Sequence, residues 1–226
     1  ELKSQFPPSV TIEYLHGKMK PAQKEDIEKS DVKVYENFYI EQKLTNGSTV
    51  RFFKNRKDVD KVCLMKGRMP EKSGEIAVDR MYAENNSLEI GDRVKSGKKA
   101  FRITGLVALS DYSALFQNNN DTMFDAVKFG VAIVTDKDFE ALNQVKVQYN
   151  YAWIYDKKPA TEKKEKKMAE DLMEDMADVV TIESFVPQYQ NQSIHFTGDD
   201  MGSDRAMIVM LLYIVMAILA FVFGIT

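Results

Sequence analysis

Residues 32–44 read VKVYENFYIEQKL. Val32, Val34, Phe38, Ile40 and Leu44 fall on one parity, while Lys33, Asn37, Glu41 and Lys43 fall on the other. Alternation with period two marks a strand with one buried face, so a single long strand is predicted over 32–44, with Tyr35 and Tyr39 on its polar side. Asn46-Gly47 follows, a pair suited to the positive φ angles of a tight hairpin turn. Residues 49–55 are expected to return as the partner strand.

Working outward, residues 9–15 read as a strand and residues 21–29 as a short helix opened by Pro21. Downstream, 61–65 leads into Gly67-Arg68-Met69-Pro70, where glycine and proline punctuate the chain. Short strands at 75–78 and 93–95 and an alternating strand over 101–109 are separated by turns at Gly91-Asp92 and 96–98, the pattern of a small β-rich lobe. Residues 111–129, rich in Asn, Asp and aromatics, are expected to form an irregular connection with a helical turn near 112–116.

Mixed character then resumes. A strand over 131–134, a helix over 136–143 and a strand over 145–154 precede a helix capped by Thr161 and a final strand over 179–184. In the long helix Met168, Ala169, Leu172, Met173, Met176 and Ala177 gather on one side, leaving Lys163, Lys164, Lys166 and Lys167 on the other. The order predicts the α+β class in two lobes. A ferredoxin-like split βαβ lobe, residues 1–66 and 130–205, carries an inserted small β-rich lobe, residues 67–129. A polar linker over 187–204 then leads to a transmembrane helix over 207–226.

That last reading rests on charge and length. All charged residues of the 226-residue chain lie at or before Arg205, and residues 207–225 read MIVMLLYIVMAILAFVFGI. At about 1.5 Å per residue this run reaches about 28 Å as a helix, close to the ~30 Å of a bilayer core. Its position rules out a secretory signal peptide. Arg205 is the one cation beside Asp199, Asp200 and Asp204, so the positive-inside bias places residues 1–205 on the extracytoplasmic side of a cell membrane. Opening at Glu1 without Met and closing at Thr226 without a cationic flank, the chain reads as a piece of a longer protein.

The net charge of −3, with no basic stripe, argues against nucleic acid as a partner. His16 and His195 stand far apart with no ligand at metal spacing. Asp199, Asp200 and Asp204 lack the spacing of a calcium loop and read as solvated linker. Ser96-Gly97-Lys98-Lys99 lacks the glycine and spacing of a P-loop, and no G-x-S-x-G is present. Cys63 stands alone, which rules out an internal disulfide, and it reads as an apolar filler. No catalytic residue, cofactor or metal is therefore expected in this chain, and it is not read as an enzyme. The rings of Tyr35, Tyr39, Tyr112, Phe116, Phe124 and Phe129 carry two readings, a partner or lipid contact or burial between the lobes.

Four words follow one another between Gly67 and Val107: GRMP at 67–70, GEIAV at 74–78, LEIGDRV at 88–94 and FRITGLV at 101–107. Their order resembles the extracytoplasmic domain of FtsX/MacB-type ABC-transporter permeases. The likeness is carried by Gly67, Arg68, Pro70, Gly74, Glu75, Gly91, Asp92 and Gly105, residue types that shape turns and perform no chemistry. The resemblance implies an outer domain between two membrane helices of a permease, coupled to ATP hydrolysis by a cytoplasmic ABC ATPase subunit or segment. It also implies a second permease copy or homologue, with export of a lipid, peptide or lipoprotein, or activation of an outer partner. The alternative is the ligand-sensing domain of a membrane receptor, which predicts a signalling domain in place of further helices.

Overall fold

The computed structural model describes residues 10–14, 17–142, 147–193 and 209–216. Its architecture is α+β, built on two sheets. The smaller contains β1 (Val10–Tyr14), β2 (Val32–Glu36), β11 (Asn150–Tyr155) and β12 (Ile182–Val186), in the order β12-β1-β11-β2. Every pairing in it is antiparallel. Helix α1 (Pro21–Glu28) connects the first two strands and α4 (Glu162–Ala177) the last two, which is the ferredoxin-like split βαβ arrangement.

Its core gathers Ile27 of α1, Val32 and Val34 of β2, Tyr151 and Trp153 of β11, and Leu172 and Met176 of α4. Thr161 caps α4 by accepting the Lys164 N–H at 3.2 Å, satisfying one of the donors a helix start leaves open. The buried stripe on α4 is Ala169, Leu172 and Met176. Met173 and Ala177, expected on that stripe, are exposed, because the sheet covers a narrower face than the apolar composition suggested.

The larger sheet runs β10-β3-β4-β9-β6-β8-β5, with β7 paired to β8. Its strands are β3 (Tyr39–Lys43), β4 (Thr49–Lys54), β5 (Val62–Gly67), β6 (Glu75–Asp79), β7 (Arg93–Ser96), β8 (Lys99–Leu109), β9 (Phe129–Val134) and β10 (Val147–Gln148). The β4–β9 and β6–β8 pairs are parallel. All six residues of β9 are buried, as expected of a central strand covered on both faces. Helices α2 (Arg80–Asn85) and α3 (Asp136–Leu142) pack on this sheet. The six-residue α2 was not read from the sequence, being too short to establish a helical period.

The expected division of the chain needs correction. The sheets do not part at 66/67 and 129/130. Strands β3, β4 and β5 pair in the larger sheet together with β9, so the inserted unit runs from Tyr39 to Gln148 and is the bigger of the two. Two predicted long strands are each broken where this division falls. Residues 32–44 form β2 and β3 in different sheets, and 145–154 splits into β10 and β11 likewise. The shared parity concealed two destinations, since Val32 and Val34 enter the smaller core while Ile40 and Leu44 enter the larger one. Tyr39, placed on the polar side from its parity, is buried in the larger core.

The predicted membrane helix lies mostly outside the described residues. Within it, residues 209–216 are helical and every side chain from Val209 to Met216 is exposed. Among the described residues no helix is long and apolar enough to cross a membrane. His16, His195, Asp199, Asp200 and Asp204 also fall outside the described residues.

Candidate functional site

The two sheets meet where their strands cross over. The Asn37 N–H donates to the Asn150 carbonyl at 2.8 Å, and Phe38 follows with its ring edge-on to Tyr149 and Tyr151, centroids 5.0 and 5.1 Å away. Phe38 and Tyr149 pack against both cores. Aromatic edge-to-face pairs of this kind add about 0.5–1.5 kcal/mol each beyond area burial, so the crossing is a packed joint and not a free linker.

A buried ion pair lies beside it. Arg56, just past β4, holds Asp111 through both guanidinium ends at 2.6 and 2.8 Å and reaches Asn37 Oδ1 at 3.0 Å. Burial opposes the charge on Arg56, yet Asp111 and then Asp60 hold its pKa above the ordinary arginine value. Arg51 is enclosed similarly. Its Nε donates to Glu41 at 2.9 Å, its other nitrogens to the Tyr112 hydroxyl and the Gln117 carbonyl, and it stacks on the rings of Tyr39 and Phe129.

Two clefts adjoin the crossing, and Asn37 lines both. The first, of about 580 Å³, has Lys18, Lys54 and Lys57 on its walls together with Phe38, Phe139 and Tyr149. Lys18 and Lys54 lie over the Phe38 and Phe139 rings at 5.5 and 5.4 Å. The second, of about 380 Å³, is rich in side-chain amides. Arg56 faces the first cleft and Asp111 the second, so the ion pair forms part of the wall between them. Of the aromatics singled out in the sequence, Tyr39, Phe116 and Phe129 are buried, and Tyr35, Tyr112 and Phe124 half-buried.

The eight turn positions gather elsewhere, against β8. Gly67 and Gly105 pass so closely that a side chain on either would strike the backbone carbonyl of Thr104 or Arg68. The Arg68 N–H donates to Thr104 at 2.9 Å and the Gly91 N–H to Ile103 at 2.8 Å. The Asp92 carboxylate accepts the Glu89 N–H at 2.8 Å. Glu75 accepts two hydrogen bonds from Arg68 and one each from the Glu71 and Lys72 N–H groups, with half-buried Pro70 in the loop they close. Arg68 first, then the two N–H groups, hold the Glu75 carboxyl well below the usual carboxylate range.

Gly74 donates its N–H to Asp138 at 2.8 Å, and this contact leads to a residue that sequence reasoning missed. The fully buried Asp138 carboxylate also accepts from Ser73, Lys99 and Thr135. The available signal was Thr135 three residues before Asp138, the spacing of a capping box. The structure gives these groups roles in turns and packing. Among the described residues no group of three His, Cys, Asp or Glu side chains could hold a metal ion.

No family model matches the sequence, and no curated protein does. The solved structures similar to it include two outer domains of membrane systems. One is the extracellular domain of the noncanonic ABC-type transporter YknZ from Gram-positive bacteria, at 14% identity and TM-score 0.38, covering 77% of this chain and 100% of that one. The other is the periplasmic region of MacB from Actinobacillus actinomycetemcomitans, at 12% identity and TM-score 0.41, covering 79% of this chain and 89% of that one.

Proposed function

We propose that this chain is the extracytoplasmic domain of an ABC-transporter permease together with the apolar segment, residues 207–225, that anchors it. The observation that carries the reading is a strap between that segment's approach and the larger sheet. Residues 188–193, on the way to the apolar run, are bound to the loop over 113–119. Asn119 donates to the Gln190 carbonyl at 3.0 Å and accepts the Gln192 N–H at 2.9 Å, and the Ala114 N–H donates to the Ser193 carbonyl at 3.2 Å.

A displacement of a membrane helix would reach the smaller sheet directly along the chain, because β12 ends at Val186 just before the strap, and the larger unit through the strap's hydrogen bonds. Eight exposed apolar side chains in succession, Val209 to Met216, suit a lipid environment better than water. The order of the turn words between Gly67 and Val107 supports the permease class. On this reading residues 1–205 face outward and the ATPase is a cytoplasmic subunit or segment. A second permease copy completes the transporter, and a lipid, peptide or lipoprotein is moved or an outer partner is activated. The two clefts at the joint favour a second reading, a ligand-sensing domain of a membrane receptor.

Purification of the full-length protein from membranes in mild detergent, with mass spectrometry of what accompanies it, separates the two. A P-loop ATPase on the same chain or cofractionating with it is expected. A signalling domain and no ATPase would give the receptor reading its place.

A further inference from the structure

Eight of the chain's twenty asparagine and glutamine residues line the second cleft. Four come from one run, Gln117 to Asn120, but the others arrive from separate places: Asn37 at the strand crossing, Gln148 and Asn150 beside it, and Asn191 in the strap. Composition alone would not assemble amides from four distant segments around one space.

Asn150 is buried, and the other seven amides divide into two groups. Asn37 is held by Arg56, Gln117 by Glu41, Asn118 by Asp121 and Asn119 by the strap, so they fix the walls. The side chains of Asn120, Gln148 and Asn191 have no hydrogen-bond partner among the described residues, and each is exposed or half-exposed. Each free amide presents a donor and an acceptor side by side.

The charges in the cleft narrow the chemistry. Arg51 is bound by Glu41 and Asp111 by Arg56, which leaves Glu183 as the one lining charge without a described partner. Among the described lining residues an anion finds no free cation. A compound carrying neighbouring hydroxyl groups, each both donor and acceptor, matches open amides that share a cleft with a single unpaired carboxylate. The space of about 380 Å³ falls within the ~300–1,000 Å³ typical of small-molecule sites.

We propose that this amide-lined cleft binds a short, uncharged carbohydrate segment. The site requires both sheets and the strap, and it stands whether the domain belongs to a transporter or a receptor.

The test uses the full chain in lipid nanodiscs, since alkyl maltoside detergents would themselves offer a disaccharide. Maltose, cellobiose and N,N′-diacetylchitobiose are titrated at millimolar concentration and followed by ligand-observed NMR. At least one is expected to bind, and Gln148→Leu and Asn191→Leu are each expected to weaken it about tenfold, equivalent to about 1.4 kcal/mol. Asn120→Ala, at an exposed position, is expected to act in the same direction with unchanged thermal stability. Absence of binding by all three sugars, or binding undiminished in the three variants, would overturn the proposal. So would displacement of the sugar by an acidic peptide that binds more tightly.

Discussion

The main-chain N–H of Asn37 meets the carbonyl of Asn150 at 2.8 Å, where the chain passes from β2 in the smaller sheet to β3 in the larger and, later, from β10 in the larger back to β11 in the smaller. Phe38 seals the joint against Tyr149 and Tyr151. Phe38→Ala is expected to cost about 2–4 kcal/mol, somewhat below a fully buried phenylalanine. Phe38→Leu should recover part of that loss. Urea denaturation followed at Trp153, in the smaller core, and by far-UV circular dichroism for the whole domain would show the transitions separating in Phe38→Ala if the joint couples the two units.

Arg56 and Asp111 form a buried pair whose removal depends on how it is done. Asp111→Ala leaves the guanidinium buried against the Phe53 ring, with Asn37 and the more distant Asp60 as its described polar neighbours, at a cost of about 3–5 kcal/mol. The double substitution Arg56→Met with Asp111→Leu removes both desolvation penalties. It should be markedly more stable than Asp111→Ala. Denaturant midpoints of the single and double variants provide the comparison.

Asp138 gives the domain part of its acid sensitivity. Burial works to raise its pKa, but Lys99, Ser73, the Gly74 N–H and Thr135 together lower it below the ordinary aspartate value. A carboxylate whose pKa is depressed by folding contributes stability that is fully present above the unfolded-state value near about 4 and is lost as pH falls through the lower folded value. Asp138→Asn is expected to lose about 1–3 kcal/mol at neutral pH and to show a shallower loss of stability below about pH 4. Melting temperatures across the acid range test both.

Asp79 acts with the opposite sign. Burial pushes its pKa up to about 6, against the Tyr82 and Met81 N–H groups that it accepts as the cap of α2. The native state therefore holds a proton that the unfolded chain releases, and this group's contribution to stability falls as pH rises from about 4 to about 6. Both N–H groups bond one oxygen, Oδ1, which an asparagine also offers. Asp79→Asn is expected to keep the cap and to raise the melting temperature at pH 8, with no gain near pH 4. A lower melting temperature at pH 8 would show that the carboxylate charge itself is needed there.

Much of this molecule follows from local rules. Pro21 opens α1, Thr161 caps α4, and the alternation over 101–109 makes a strand, because each depends on residues within a few positions of one another. The uncharged run after Arg205 was equally plain, and so was the α+β class. The turn positions from Gly67 to Gly105 could be named, but not the contact in which two glycines bring separate backbones together. Nor could the sequence divide the chain between its sheets. Parity tells which side chains point inward from a strand and is silent about which core receives them, so 32–44 and 145–154 each read as one strand where the fold has two. The Arg56–Asp111 pair and the amide cleft depend on segments far apart in sequence. Their partners are chosen by sheet order, and that order is set by how the whole apolar surface is buried at once.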